Sequence, residues 1–419
     1  MDYIDRQITK DLIENIKNRP LTYLNGARQV GKSTLCKHLS DILPNNFSVN
    51  HLTFDTPLVL QAAKSEPALF VNSLPENRLN VIDEVQFAPE IFPYLKMRVD
   101  SARLKRNNKG LFLLTGSANL MALPNLSDAL VGRMSVFTLY PLSASECRNT
   151  NYCAAESFFD EDFSVGTCED FDILEILTNC TYPELVSYPE IDRIKWFDDY
   201  LTTILNRDVR SLSDLRKPEK ITTLLSLLTM RTGSLINNTA LASEIGVDYR
   251  TYEKMLSFTI NSFMIFLLKP WAMPDKLNKR FTKSPKLYFT DCNFLSYMMK
   301  RDIKDMYQND TAAFGHILEN FAAAELLKQT ANNHIELSYF RTSNGKEVDF
   351  VLENKKSEII GIEVKSSASV KKEYLSGLNK LQELCKEKFK KGIILYTGKE
   401  TLPLADKIWA VPIKRLWKN

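Results

Sequence analysis

Gly26-Ala27-Arg28-Gln29-Val30-Gly31-Lys32-Ser33 follows the apolar run Leu21-Thr22-Tyr23-Leu24 and opens onto Thr34-Leu35-Cys36-Lys37-His38-Leu39, whose apolar positions recur at helical spacing. The order is strand, glycine loop, helix. Two glycines let the backbone turn tightly enough for its N–H groups to point inward at phosphate oxygens, and the helix N-terminus adds partial positive charge. In such a loop residues 26–34 wrap the phosphates, Lys32 reaches the β- and γ-phosphates, and Ser33 reaches a magnesium ion. An ordinary glycine turn with a capping serine needs only part of this pattern. The stretch therefore predicts a nucleotide site for ATP with Mg2+.

Working outward, Leu12, Ile13 and Ile16 place a helix over residues 4–18. Residues 47–54 alternate as a strand, and residues 57–74 carry two short helices. Leu79-Asn80-Val81-Ile82-Asp83-Glu84 is an apolar strand ending in two acids. There Asp83 can hold magnesium through water and Glu84 can polarise the attacking water. A helix over 91–104 leads to Leu111-Phe112-Leu113-Leu114-Thr115-Gly116-Ser117, where a hydroxyl of Thr115 or Ser117 either senses the γ-phosphate or only caps the next helix. Residues 136–139 supply a fifth strand. Alternating strands and helices predict an α/β fold, a doubly wound parallel sheet of the P-loop NTPase class. Arg133 either completes the site of a neighbouring subunit, which implies a homo-oligomer, or pairs with Asp128 on the surface. Arg207 is a weaker candidate for the same task.

Tyr3-Ile4-Asp5-Arg6, the loop 26–33, Asp83-Glu84-Val85-Gln86 with Pro89, Leu114 to Ser117, Gly132-Arg133 and Leu139-Tyr140-Pro141-Leu142-Ser143 together resemble the prokaryotic AAA-type ATP-binding proteins that carry a carboxy-terminal domain of unknown function. The resemblance spans nearly the whole chain and implies the same roles for Lys32, Ser33, Asp83 and Glu84. Ala27 stands where that family usually has proline.

The expected organisation is an ATPase domain over 1–145, an acidic connector over 146–180, a helical region with a winged helix-turn-helix over 181–300, and a C-terminal domain over 301–419. The connector is expected to be solvated, because Asp160, Glu161, Asp162, Glu169, Asp170 and Asp172 occur without a Lys or Arg between Glu156 and Glu175. Helices over 221–228, 239–246 and 249–262, closed by a strand over 263–268, resemble a winged helix-turn-helix, whose last helix reads DNA or serves as an interface. Lys269, Lys276, Lys279, Arg280, Lys283 and Lys286 follow; they contact phosphates or solvate a loop. An amphipathic helix over 315–327 precedes strands over 335–341, 347–352 and 358–365, the first two joined through Asn344-Gly345. Glu319 on the helix, Asp349, and Glu363-x-Lys365 in a strand resemble the metal site of the restriction-endonuclease-like superfamily. That likeness implies that the carboxylates hold magnesium and the lysine activates water.

At 419 residues, with 44% apolar and 25% charged residues and no long unbroken apolar run, the chain reads as a two- or three-domain globular protein of the cytoplasm. Seven cysteines without a CxxC pair read as free thiols, and a net charge of +3 argues neither for nor against nucleic acid. The expected function is a Mg2+-dependent ATPase coupled to a module for nucleic acid, DNA before RNA, or for a protein partner. The alternatives are an ATP-gated nuclease and a nucleotide-dependent switch without turnover.

Overall fold

A computed structural model describes residues 3–44, 48–105, 109–117, 130, 132–179, 181–208, 219–273 and 284–418. The chain divides into two compact units, one of residues 1–141 with 261–263, the other of residues 142–260 with 264–419.

In the first unit, β1 (Leu21–Gly26), β2 (Ser48–Thr53), β3 (Arg78–Asp83), β4 (Phe112–Gly116) and β5 (Ser135–Leu139) form a parallel sheet in the order β2-β3-β4-β1-β5. Every residue of β1 is buried, as a central strand covered on both faces requires. Gly26 pairs with Leu139 as it leaves β1. Its φ is +150°, and a Cβ there would lie 2.0 Å from the Leu139 carbonyl oxygen, so only glycine permits this approach. The predicted first helix begins later than expected, at Thr9–Asn18. Ile82, Leu95, Val99, Phe112 and Leu114 lie in the core that joins this sheet to the helix Phe92–Leu104.

The second unit contains β6 (Gly166–Thr167), β7 (Ile265–Leu268), β8 (Lys286–Phe289), β9 (Glu336–Arg341), β10 (Glu347–Glu353), β11 (Ile359–Lys365), β12 (Phe389–Tyr396), β13 (Glu400–Ala405) and β14 (Ile408–Pro412). Helices Lys220–Thr229, Asn238–Ile245 and Tyr249–Asn261 precede β7, which pairs antiparallel with β8. Asn237 caps the second of these helices, and Gly246, at φ +71°, ends it. Thr232 and Leu235 bridge to β8. The other strands form a mixed sheet in the order β6-β13-β14-β12-β11-β10-β9, in which β9, β10 and β11 run as an antiparallel meander and β12 is parallel to β11.

Two expectations are corrected here. The acidic stretch is solvated at Asp160, Asp162, Glu169, Asp170 and Asp172, but it is not unpacked: Ala154, Ala155, Phe158 and Phe159 are buried, and β6 adds an exposed edge strand to the large sheet. Its acids find bases that are distant in sequence. Glu161 pairs with Arg415, Glu169 with Lys414 and Lys418, and Asp170 with Lys399. The helix Thr311–Thr330 is not amphipathic either. Phe314, Ile317, Leu318, Phe321 and Leu326 are buried, and so are Asn320, Glu325 and Gln329, each with hydrogen-bond partners. Glu325 accepts from the Ala144 N–H at 2.8 Å and from Lys328 at 3.0 Å, which offsets the cost of burying its charge.

Candidate functional site

The glycine loop leaves β1 and enters the helix Lys32–Ile42 through two left-handed backbone positions, Gln29 at φ 60° and Gly31 at φ 91°. No side chain caps this helix N-terminus, whose backbone dipoles favour an anion. The Lys32 side chain folds back and donates to the carbonyls of Gly26 at 2.9 Å and Ala27 at 2.7 Å, which holds a nearly buried ammonium inside the loop. The Ser33 hydroxyl donates to Asp83 Oδ2 at 2.6 Å, joining the start of the helix to the end of β3. Thr115, at the end of β4, donates to the other oxygen of the same carboxylate. Serine hydroxyl and carboxylate are all-oxygen donors of the kind Mg2+ takes in small number alongside phosphate oxygens and water. The residues present therefore fit a magnesium nucleotide.

Glu84 follows β3 in a left-handed conformation, φ 59°, which turns its side chain out of the strand direction. Gln86 donates to Glu84 Oε2, and also to the Ser117 hydroxyl at 3.1 Å. Gln86 Oε1 is buried with no hydrogen-bond partner among the described residues. Sequence reasoning singled out Ser117 and left Gln86 without a role, although Gln86 is what connects Ser117 to Glu84. A polar residue two positions after the acid pair, inside the otherwise apolar turn Val85–Phe87, was the available signal. Burial pushes the Cys36 thiol far up, with Asp83 adding to the effect, so it takes no part as a thiolate.

Arg133 lies in the same unit and makes a bidentate pair with Asp100, with Nε–Oδ1 at 2.7 Å and Nη2–Oδ2 at 3.0 Å. Its expected surface partner, Asp128, lies outside the described residues. Arg103 donates to the carbonyls of Gly132 and Arg133 and anchors the turn. Arg207 is exposed and lies in the second unit.

The second constellation lies within the second unit. Glu363 and Lys365 project from one face of β11 and pair at 2.8 Å. Asp349 Oδ2 accepts the Val364 N–H at 2.9 Å across the β10–β11 ladder. Glu319, from the long helix, accepts the Tyr288 hydroxyl at 2.7 Å. Lys286 stands in their midst, although the sequence placed it in a solvated or phosphate-contacting basic group. Its side chain is 3% exposed, and its Nζ lies 2.5 Å from Glu347, 3.5 Å from Glu319 and 3.7 Å from Asp349. Lys276, Lys279, Arg280 and Lys283 of that group lie outside the described residues. Burial works against the Lys286 charge, but Asp349, Glu319 and Glu347 outweigh it and hold the ammonium above the usual lysine range. Burial and the neighbouring Asp349 raise Glu319 to about 7 and push Glu363 well above the carboxylate range. The missed signal was a lysine opening an apolar strand, Lys286-Leu287-Tyr288-Phe289.

Comparison with known proteins divides the chain similarly. Residues 18–148 match the family model described as AAA domain. Residues 171–305 and 314–416 match two models, each described as a domain of unknown function. Uncharacterized proteins of Mycobacterium bovis and Mycobacterium tuberculosis are each 26% identical over 400 residues, covering 95% of this chain and 81% of the relative. Among solved structures, a RuvB variant of Thermotoga maritima is 17% identical, with a TM-score of 0.29 over 62% of this chain and 85% of that one. The ORC1 protein of Aeropyrum pernix in complex with DNA is 13% identical, with a TM-score of 0.25 over 69% and 91% of the two chains. No helix among the described residues is long and apolar enough to cross a membrane. With its parallel sheet, the N-terminal part of this chain is similar over residues 18–148 to the family described as AAA domain.

Proposed function

We propose that this chain is a cytoplasmic, Mg2+-dependent ATPase whose nucleotide state is coupled to a nucleic-acid-binding module in its second unit. The observation that carries the reading is the 2.6 Å bond from Ser33 to Asp83, which brings the glycine loop and the strand-end acid to one point. Lys32 and the amides of residues 26–34 bind the phosphates. Ser33 and Asp83 would hold Mg2+, which draws charge from the phosphate oxygens. Glu84 orients and deprotonates the attacking water, positioned by Gln86, and Ser117 is linked to it through the same amide. Arg133 is the candidate for completing a neighbouring copy's site, and that role requires release from Asp100.

For the second unit, three helices closed by the β7–β8 pair support a winged helix. Arg250 and Lys254 are exposed on its third helix, beside Glu253, and are the expected contacts to DNA. The helix Thr311–Thr330, the meander β9–β10–β11, the helix Ser376–Cys385 and parallel β12 support a restriction-endonuclease-like core. The test is phosphate release from Mg·ATP by the full chain, alone and with duplex DNA or RNA, beside Lys32→Ala. Turnover stimulated by DNA and lost in the variant is the expected result. Binding of ATP without turnover under every condition would leave a nucleotide-dependent switch.

A further inference from the structure

The restriction-endonuclease-like core implies a divalent cation among Glu319, Asp349 and Glu363, and the residues present do not fit one. A cation of that kind needs oxygen ligands at about 2.0–2.6 Å. Lys286 Nζ already takes Glu319 and Asp349 from the space between them, and takes Glu347 at 2.5 Å as well. Other donors crowd the same carboxylates: Tyr288 donates to Glu319 Oε1, the oxygen that Lys286 also faces, the Val364 N–H takes the second oxygen of Asp349, Lys365 pairs with Glu363 Oε2, and Arg341 takes the second oxygen of Glu347 at 3.4 Å. Among the described residues no group of three or more acids, histidines or cysteines is placed to hold a metal. Formal charges agree, since the four acids Glu319, Glu347, Asp349 and Glu363 face the three bases Lys286, Lys365 and Arg341. With all four acids ionised, a divalent cation in place of Lys286 would balance the cluster, and one added beside it would leave an excess positive charge.

We propose that Lys286 is a resident cation that takes the place of a divalent metal, closing the carboxylate centre of the C-terminal core and tying the β7–β8 pair to it. The lysine comes from β8, outside the helix–meander–helix core that supplies the acids, and Tyr288 on the same strand reinforces the tie. Gly233, whose N–H donates to the Leu287 carbonyl of β8, adds close backbone packing: a Cβ there would meet Glu319 at 3.0 Å. In this state the C-terminal core serves as a docking unit for the winged helix and does not perform metal-dependent hydrolysis.

The proposal rests on reading Glu319, Asp349 and Glu363 as cation-centre positions, and one experiment separates the two ideas. Mn2+ binding to the full chain without nucleotide is measured by electron paramagnetic resonance for wild type, Asp349→Asn, Lys286→Met and Lys286→Met/Asp349→Asn. Any Mn2+ at Ser33 and Asp83 is common to all four and cancels. The expected result is equal binding by wild type and Asp349→Asn, with one additional equivalent in Lys286→Met that is lost in the double variant. Wild-type binding that disappears in Asp349→Asn would overturn the proposal while leaving the cation centre standing. Folded Lys286→Met that gains nothing would overturn the centre itself. If Lys286→Met does not fold alone, its recovery on adding Mn2+ gives the expected result, and failure to recover, with Lys286→Arg folded, counts against it.

Discussion

Replacing Lys286 by methionine keeps the apolar stem of the side chain and removes its charged end, leaving the surrounding carboxylates without it. At an effective dielectric constant of about 20, each contact at 3.5–3.7 Å is worth roughly 5 kcal/mol in gross attraction. Most of this is offset by the desolvation already incurred by each ion. Glu347 is 28% exposed and shared with Arg341, so its contribution is screened and replaceable. Removing one partner of such a buried cluster leaves a net loss of about 3–5 kcal/mol. All four tryptophans, Trp196, Trp271, Trp409 and Trp417, lie in the second unit, so tryptophan fluorescence during urea unfolding follows that unit alone. With a urea dependence of about 3 kcal/mol per molar, the midpoint should fall by about 1–2 M. Adding Asp349→Asn to Lys286→Met should cost less than the sum of the single changes, with a coupling of about 1–3 kcal/mol. A loss below about 1 kcal/mol, or additive losses, would place Lys286 among ordinary surface ion pairs and refute the reasoning.

Lys32→Ala removes a buried ammonium from the phosphate loop; ATP affinity in equilibrium binding should fall by about 100-fold or more, since charge-assisted hydrogen bonds are worth about 1.5–3 kcal/mol each. Glu84→Gln keeps the shape of the side chain and removes the base, so ATP binding should change little while phosphate release drops by about 100-fold or more. Gln86→Leu should lower turnover and leave the ATP dissociation constant nearly unchanged, because Gln86 touches Glu84 and Ser117; equal effects on both would show that it serves the fold instead. Burial raises the thiols of Cys292 and Cys385 to about 12, which favours the neutral form, so at pH 8 the reactive thiolate is about 1,000-fold scarcer than for a thiol at its usual value. Both should resist iodoacetamide in the folded chain and react quickly once unfolded.

The geometry around the glycine loop was legible because its parts are local. Loop, lysine and serine adjoin one another in the sequence between a strand and a helix, and an apolar strand ending in Asp83-Glu84 needs only the parallel sheet to bring its end beside the loop. Periodicity was equally sufficient for the meander β9–β10–β11 and for the three helices before β7. What it could not supply was the environment of each charge. The acids of residues 160–172 carried no nearby base and read as solvated; Asp160, Asp162, Glu169, Asp170 and Asp172 are exposed, yet Lys399, Lys414, Arg415 and Lys418, more than 200 residues away, pair with Glu161, Glu169 and Asp170 and tie the segment to the end of the chain. Thr311–Thr330 read as one-sided because its buried polar residues find partners as distant as Ala144 and Leu416. Arg133 was matched in the sequence with Asp128, and the structure pairs it instead with Asp100, 33 residues away.

Lys286 shows the division most clearly. Its place in a basic run gave it a solvated reading, because sequence records the charge of a side chain and not the distance to its counter-charges. The residue types and spacing of Glu319, Asp349, Glu363 and Lys365 were determined by sequence alone. The tertiary structure alone decided that a lysine from another element enters among them, since electrostatic free energy depends on separation and burial, and both are set by chain segments that meet only on folding.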